Sequence, residues 1–243
     1  MGVDLFPLGW RDRQSVRRMT NTAQVSSEFD YLREKHKRLR EQNSPELNLR
    51  THRSISWLSR AAALIDEDPD AAFILSWIAF NAAYAKDLGD DPGSFARANF
   101  QGFFDALVRC DPNGRIEHEI WYQSQGVVAE LLDNKYIFSP FWKFHNGDLE
   151  YENWELRFNN AKKAAQYAVE GQETAKLLSI LFDRLYVLRN QLVHGGATWN
   201  SMVNRKQVRD GAELLLSLMP VFIDTMLSNV AEDWGAPYYP VVD

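Results

Sequence analysis

Apolar positions recur at helical spacing along almost the whole chain, and the strict alternation of a half-buried strand is nearly absent. In DPDAAFILSWIAFNAAYA, the residues Phe73, Trp77, Phe80 and Tyr84 follow one another at steps of four, three and four, which predicts a central core helix over 70–87. A second stripe, Leu177, Leu181, Leu185, Leu188 and Leu192, steps by four, four, three and four and predicts a long helix over 173–193. The same reading places helices near 26–42, 50–66, 94–109, 115–133, 152–169 and 204–229, with Gly, Pro and Asn as punctuation. The expected fold is all-α, a bundle of about seven to eight helices. NSPE reads as the turn after the first helix, and Ser26 or Ser27 stands near that helix's cap. The stretch NKYIFSPFWKFHNGDLEYENW breaks the helical period, yet it is too rich in aromatics for a disordered linker and reads as an ordered connection. No internal repeat, low-complexity tract or Gly-rich phosphate loop is present.

Composition narrows this picture. With 243 residues and 45% hydrophobic content the chain can bury a full core, and its expected organisation is a basic N-terminal helical arm over 1–45 followed by one helical domain over 46–243. Cys110 is the only cysteine, which excludes an intrachain disulfide and any cysteine-rich zinc site and fits a reducing cytoplasm. MGVDLFPLGWRDRQ lacks the features of a signal peptide and no window reads as a membrane span, so a cytoplasmic chain with no membrane partner is expected. The net charge of −6 argues against a protein that coats nucleic acid generically. That charge is uneven: RDRQSVRR and REKHKRLR make the beginning of the chain basic, either as a solvated arm or as a phosphate-facing patch, while the rest is acidic.

The candidate chemistry lies in LRNQLVHGG, residues 188–196, at the end of the Leu177–Leu192 stripe. Asp183, Val187, Asn190 and His194 step by four, three and four, so the amide and the imidazole lie one turn apart on one ridge. Arg189 is five residues before His194, about 140° away on an ideal helix. The two converge on one ligand if the guanidinium arm swings round or the last turn unwinds, and Gly195–Gly196 offers that unwinding. His194 then stands in the last turn, at the carbonyl end of the helix dipole. Taken singly, His194 is a polar residue at a helix end and Arg189 a surface cation facing a carboxylate such as Asp183.

Taken together, LYVLRNQLVHGG resembles the signature of the HEPN superfamily, all-helical domains whose ribonuclease members carry R-x(4–6)-H, often with a polar residue straight after the arginine. Arg189, four intervening residues and His194 fit that pattern, with Asn190 in the polar slot. FILSWIAFNAAYA is similar to the core helix of one HEPN branch. The resemblance spans roughly 50–230 as a helical pattern, with its specificity in a dozen or so positions, and it implies a helical bundle that pairs as a two-fold homodimer with two motifs facing one cleft. The basic arm and the aromatic segment at 134–154 exceed the minimal domain.

The chemistry so implied is cleavage of RNA without a metal or other cofactor. RNA supplies its own nucleophile, the 2′-OH, so the site needs a group that moves protons and a cation that stabilises the pentacoordinate phosphorane. His194 can serve as general base or general acid, Arg189 as the phosphate clamp, and Asn190 as the group that holds the imidazole or a phosphate oxygen. The five histidines, His36, His52, His118, His145 and His194, show no paired metal-ligand spacing. Asn81, buried by pattern on the Trp77 helix, and Asp183 are either satisfied polar groups or supports behind the motif. Arg205, Lys206 and Arg209 of RKQVR open the last helix and are candidates for binding RNA phosphates, as against a solvated turn. The aromatics of 136–154 are core or a stacking platform for unpaired bases. The expected function is a metal-independent endoribonuclease in a toxin–antitoxin or anti-phage setting, with RNA as substrate and an antitoxin or other partner protein in attendance. The alternative is a catalytically silent HEPN module that binds a nucleotide or a partner.

Overall fold

Two proline-led helices form the heart of the protein. Ser44 and Asp68 accept hydrogen bonds from the Leu47 and Ala71 amides at 3.1 and 3.0 Å. Pro45 and Pro69 open the helices that follow, in a position where a missing amide proton costs nothing. The computed structural model describes residues 22–85 and 92–241, so RDRQSVRR of the basic arm lies outside the described residues. Among these the protein is all-α, with no strand. Its helices are α1 (Thr22–Leu39), α2 (Pro45–Leu64), α3 (Pro69–Tyr84), α4 (Pro92–Arg109), α5 (Arg115–His118), α6 (Gln125–Leu132), α7 (Ser139–His145), α8 (Trp154–Glu170), α9 (Thr174–Val193) and α10 (Arg205–Ser228).

Most elements match the sequence pattern, and the ten helices exceed the expected seven to eight for identifiable reasons. The stretch 115–133 is not one helix: between α5 and α6 the chain widens into a π-helical turn, Glu119–Gln123, closed by the Ser124 amide on the Glu119 carbonyl at 2.9 Å. The Glu119 carboxylate accepts the hydroxyls of Ser124 and of Ser217 on α10, so the break is set by a side chain nearly a hundred residues away in sequence. The aromatic connection holds a short helix of its own, α7, between two 3-10 turns, Lys135–Ile137 and Leu149–Tyr151. NSPE is less a turn than the start of α2.

The core is built on aromatic rings from four helices. Trp77, Phe80 and Tyr84 of α3 meet Phe100, Phe103 and Phe104 of α4, Phe182 of α9 and Phe222 of α10, with Phe80 to Phe182 at 4.5 Å and Phe104 to Phe182 at 4.8 Å between centroids. Rings at these separations add about 0.5–1.5 kcal/mol per pair beyond area burial. Through this core runs α10, buried nearly all round. Contrary to the expectation from sequence, α10 is long and apolar enough to cross a membrane, but 83% of that window is buried inside the protein, which makes it a core helix. Gly211 permits its close approach: a Cβ there would lie 2.9 Å from the Phe73 ring and 3.2 Å from Leu185.

Three cations tie the periphery to this core. Lys35 of α1, almost wholly buried, donates to Asp224 Oδ1 of α10 at 2.6 Å and to Ser228 Oγ at 2.5 Å, and Arg115 takes the other carboxylate oxygen. Burial alone would raise the Asp224 carboxyl, but the two cations outweigh it and hold the group below the usual range. Beside them Phe29 and Leu32 of α1 enter the core. Arg50 of α2 is fully buried, and its five donors reach carbonyls, those of Ala82, Ala83 and Ala85 at the end of α3 and of Gly235 and Ala236 in the C-terminal strap. Burial pushes its pKa down to about 10, still far above neutrality.

Candidate functional site

The last turn of α9 is wound by its amphipathic stripe and stopped by its glycines. Leu177, Leu181, Leu185 and Leu188 are buried, which commits the helix up to that level. Beyond it the Gly195 amide reaches the Leu192 carbonyl at 3.2 Å and the Gly196 amide the Gln191 carbonyl at 2.6 Å, the paired bonds of a Schellman ending. Gly195 takes φ of +70°, and a Cβ on Gly196 would come within 3.0 Å of the Gln191 carbonyl oxygen. His194 is the capping residue itself, one position past the last helical residue, with φ of −92° and ψ of 12° and an exposed side chain.

This ending differs from the expected one in a way that matters for chemistry. The helix stays wound through Val193, and the chain departs from it only at Gly195, after the imidazole. Unwinding therefore does not bring His194 round toward Arg189. Instead the Arg189 guanidinium turns to its neighbour and donates to Asn190 Oδ1 at 3.0 Å. Both are half-buried, and the Asn190 carbonyl also receives the His194 amide at 3.0 Å.

The neighbourhood of the motif comes from segments far away in sequence. Gln191 donates to the Tyr136 carbonyl at 2.5 Å, and the Trp142 indole donates to the same oxygen at 2.6 Å, so the aromatic segment is docked against the end of α9. Tyr136 and Trp142 are exposed there. Farther along, Phe141 meets Trp154 at 4.9 Å, and the buried Arg184 guanidinium of α9 lies over Phe138 at 4.3 Å, so much of this aromatic density is packing. On the other side the loop 194–204 is pinned to the α2–α3 turn. The Trp199 indole donates to Asp68 at 3.2 Å, and the Asn200 amide and Arg205 both reach Asp70, at 2.9 and 2.7 Å. Val193, Trp199, Met202 and Val203 are exposed on this loop and helix end.

The supporting residues expected from sequence are not gathered here. Asp183 is half-buried on α9, eleven residues before His194 and so about 16 Å away along a straight helix. Asn81 is half-buried rather than buried, and it follows Phe80, whose ring packs on Phe182 in the middle of α9 rather than at its end. The RKQVR cations do lie beyond the loop, but each meets carboxylates: Arg205 pairs with Asp70, Lys206 with Glu130 and with Asp210 at 2.9 Å, and Arg209 with Asp66 and Glu213 at 3.8 and 3.6 Å. Partial burial works against the Lys206 ammonium, yet Glu130 and Asp210 outweigh it and hold it above its ordinary range. A phosphate at this turn has to displace those carboxylates.

Gln191 and the carbonyl of Tyr136 were not identifiable from spacing. Gln191 sits inside the Arg189–His194 interval, which was the available signal; nothing in the aromatic segment announces that its backbone meets α9. Among the described residues no three His, Cys, Asp or Glu side chains come together as metal ligands. Comparison with family models, with characterised proteins and with solved structures finds no match to this chain.

Proposed function

We propose that the protein is a metal-independent endoribonuclease of the HEPN type, cleaving RNA by attack of the 2′-OH on the adjacent phosphate, in a toxin–antitoxin or anti-phage role. The observation that carries this reading is the exposed His194 at the Schellman end of α9, one turn from Asn190 and on the same helix end as Arg189. The imidazole moves the proton, from the 2′-OH or to the departing 5′-oxygen, and the guanidinium neutralises the charge gathering on the phosphorane. Asn190 already orients Arg189.

A single chain leaves this site half-made. The wound helix keeps Arg189 and His194 about 140° apart, and one imidazole cannot be base and acid to the same phosphate at once. A second copy related by a two-fold axis supplies both missing parts. The exposed apolar set Val193, Trp199, Met202 and Val203 beside His194 favours such a homodimer contact.

The second reading is a catalytically silent HEPN module that uses the same apolar rim to hold a partner protein such as an antitoxin. It is favoured by the carboxylates on Arg205, Lys206 and Arg209, which leave little free positive charge near His194 for RNA. Incubation of the purified chain with end-labelled RNA in EDTA separates the two. The ribonuclease yields fragments ending in 2′,3′-cyclic phosphate, whereas the silent module leaves the RNA intact.

A further inference from the structure

The C-terminal strap, residues 234–241, is anchored rather than trailing. Trp234 is buried and its indole donates to the Asn229 carbonyl at 3.1 Å. Arg50 holds the Gly235 and Ala236 carbonyls at 2.8 and 2.7 Å, and Arg53 holds that of Tyr239 at 2.7 Å. The strap is thus fixed beside the first half of α2, and it bounds a cleft of about 1030 Å³ with the end of α1 and the start of α2. Leu49, Pro237 and Pro240 give this cleft apolar wall.

The remaining lining is chemically different. His36 and Lys37 stand in the last turn of α1 and Arg40 in the turn just past it, and all three line the cleft. His52 of α2 completes the set, its ring 5.9 Å from that of His36 between centroids. His36 Nε2 lies 3.1 Å from the Asn48 carbonyl, an acceptor only, so Nε2 carries the proton and Nδ1 is the atom that gains a second one. Next to it Asn43 is nine-tenths buried, with Nδ2 on Asn48 Oδ1 at 3.1 Å and its own Oδ1 without a hydrogen-bond partner. Among the described residues neither Lys37 nor Arg40 is in an ion pair, in contrast to the three cations of RKQVR.

We propose that this cleft binds an organic phosphate, a phosphate monoester carried on an apolar or planar body. Lys37 and Arg40 meet the phosphate oxygens, and Leu49 with the strap prolines covers the body. Glu41 and Glu46 also line the cleft and offset the two cations near neutral pH. The His36 imidazole therefore decides the sign of its field, and the site strengthens as Nδ1 takes up a proton. Burial holds His36 below its ordinary range, and the neighbouring His52 and Arg40 lower it further against the opposing Asn48 bond, so a bound anion favours its protonated form. The cleft lies at the start of α2, while the His194 loop docks past its other end. Twenty helical residues separate them by about 30 Å, so the site is independent of the proposed ribonuclease centre.

Calorimetric titration of the full chain tests this, with phenyl phosphate as the probe, benzenesulfonate as an anion whose charge is constant between about pH 5.5 and pH 8, and benzyl alcohol as the uncharged control. Phenyl phosphate is expected to bind saturably, and benzenesulfonate about tenfold more tightly at the lower pH. The double variant Lys37→Ala/Arg40→Ala should weaken both anions about tenfold, His36→Gln should flatten the pH dependence, and His194→Ala should change neither. The proposal is overturned by the absence of saturable heat with phenyl phosphate at the lower pH, by unchanged affinity in the Lys37/Arg40 variant, or by equal binding of benzyl alcohol.

Discussion

His194 touches little and Arg189 touches Asn190, so their replacement separates chemistry from folding. His194→Ala should abolish RNA cleavage while thermal unfolding shows stability within about 0.5 kcal/mol of the parent. Arg189→Lys should cut the cleavage rate about 100-fold, because a point charge replaces a planar fork at the developing phosphorane. Parental cleavage rates in both variants would remove the site from α9. At this scale the sequence was informative about identity and spacing: the Asn190–His194 end of the polar ridge, the glycine stop and the exposed imidazole all stood in LRNQLVHGG. The direction of Arg189 was not legible, since a rotamer is chosen by neighbours, and the acceptor it meets is Asn190, the next residue on the same turn.

Among the elements, two packing decisions carry measurable consequences. Gly211 lets α10 pass against Phe73 and Leu185, so Gly211→Ala should destabilise the protein by about 1–3 kcal/mol in urea unfolding, the cost of overpacking a close contact. Glu28 of α1 is half-buried near Glu119 and Asp224, and burial followed by those two carboxylates raises its pKa despite Arg115. A carboxyl raised on folding opposes the folded state while ionised. Glu28→Gln should therefore raise Tm near pH 7, with a gain that persists above the raised pKa and disappears as pH falls toward 4.5. An unchanged or lowered Tm at neutral pH would mean that Glu28 is stabilised as a carboxylate. Helix existence was legible wherever apolar spacing was long and regular, as in α3 and α9. The π turn at Glu119 was not, because it answers to Ser217 on another helix, and α7 was masked by aromatics that serve tertiary contacts rather than helical period.

For the whole molecule, what remained illegible was pairing across distance. Nothing in RKQVR says that Asp70, Glu130 and Asp66 will meet it, and nothing in NKYIFSP says that Tyr136 will receive Gln191. These contacts define the surface around His194: pinned loop, neutralised cations and exposed Val193, Trp199, Met202 and Val203. That surface, together with the separation of Arg189 from His194 on a wound helix, makes the central claim a composite one, in which two copies build one ribonuclease groove. Co-expression of an Arg189→Ala chain with a His194→Ala chain tests it directly, each being inactive when purified alone. The mixed species should regain metal-independent cleavage well above that of either variant alone but about 100-fold or more below the parent, since the shared groove then holds one intact guanidinium and one intact imidazole and leaves one of the two proton transfers unassisted. No activity above the separate variants, from a mixed dimer verified by mass, would contradict the composite site.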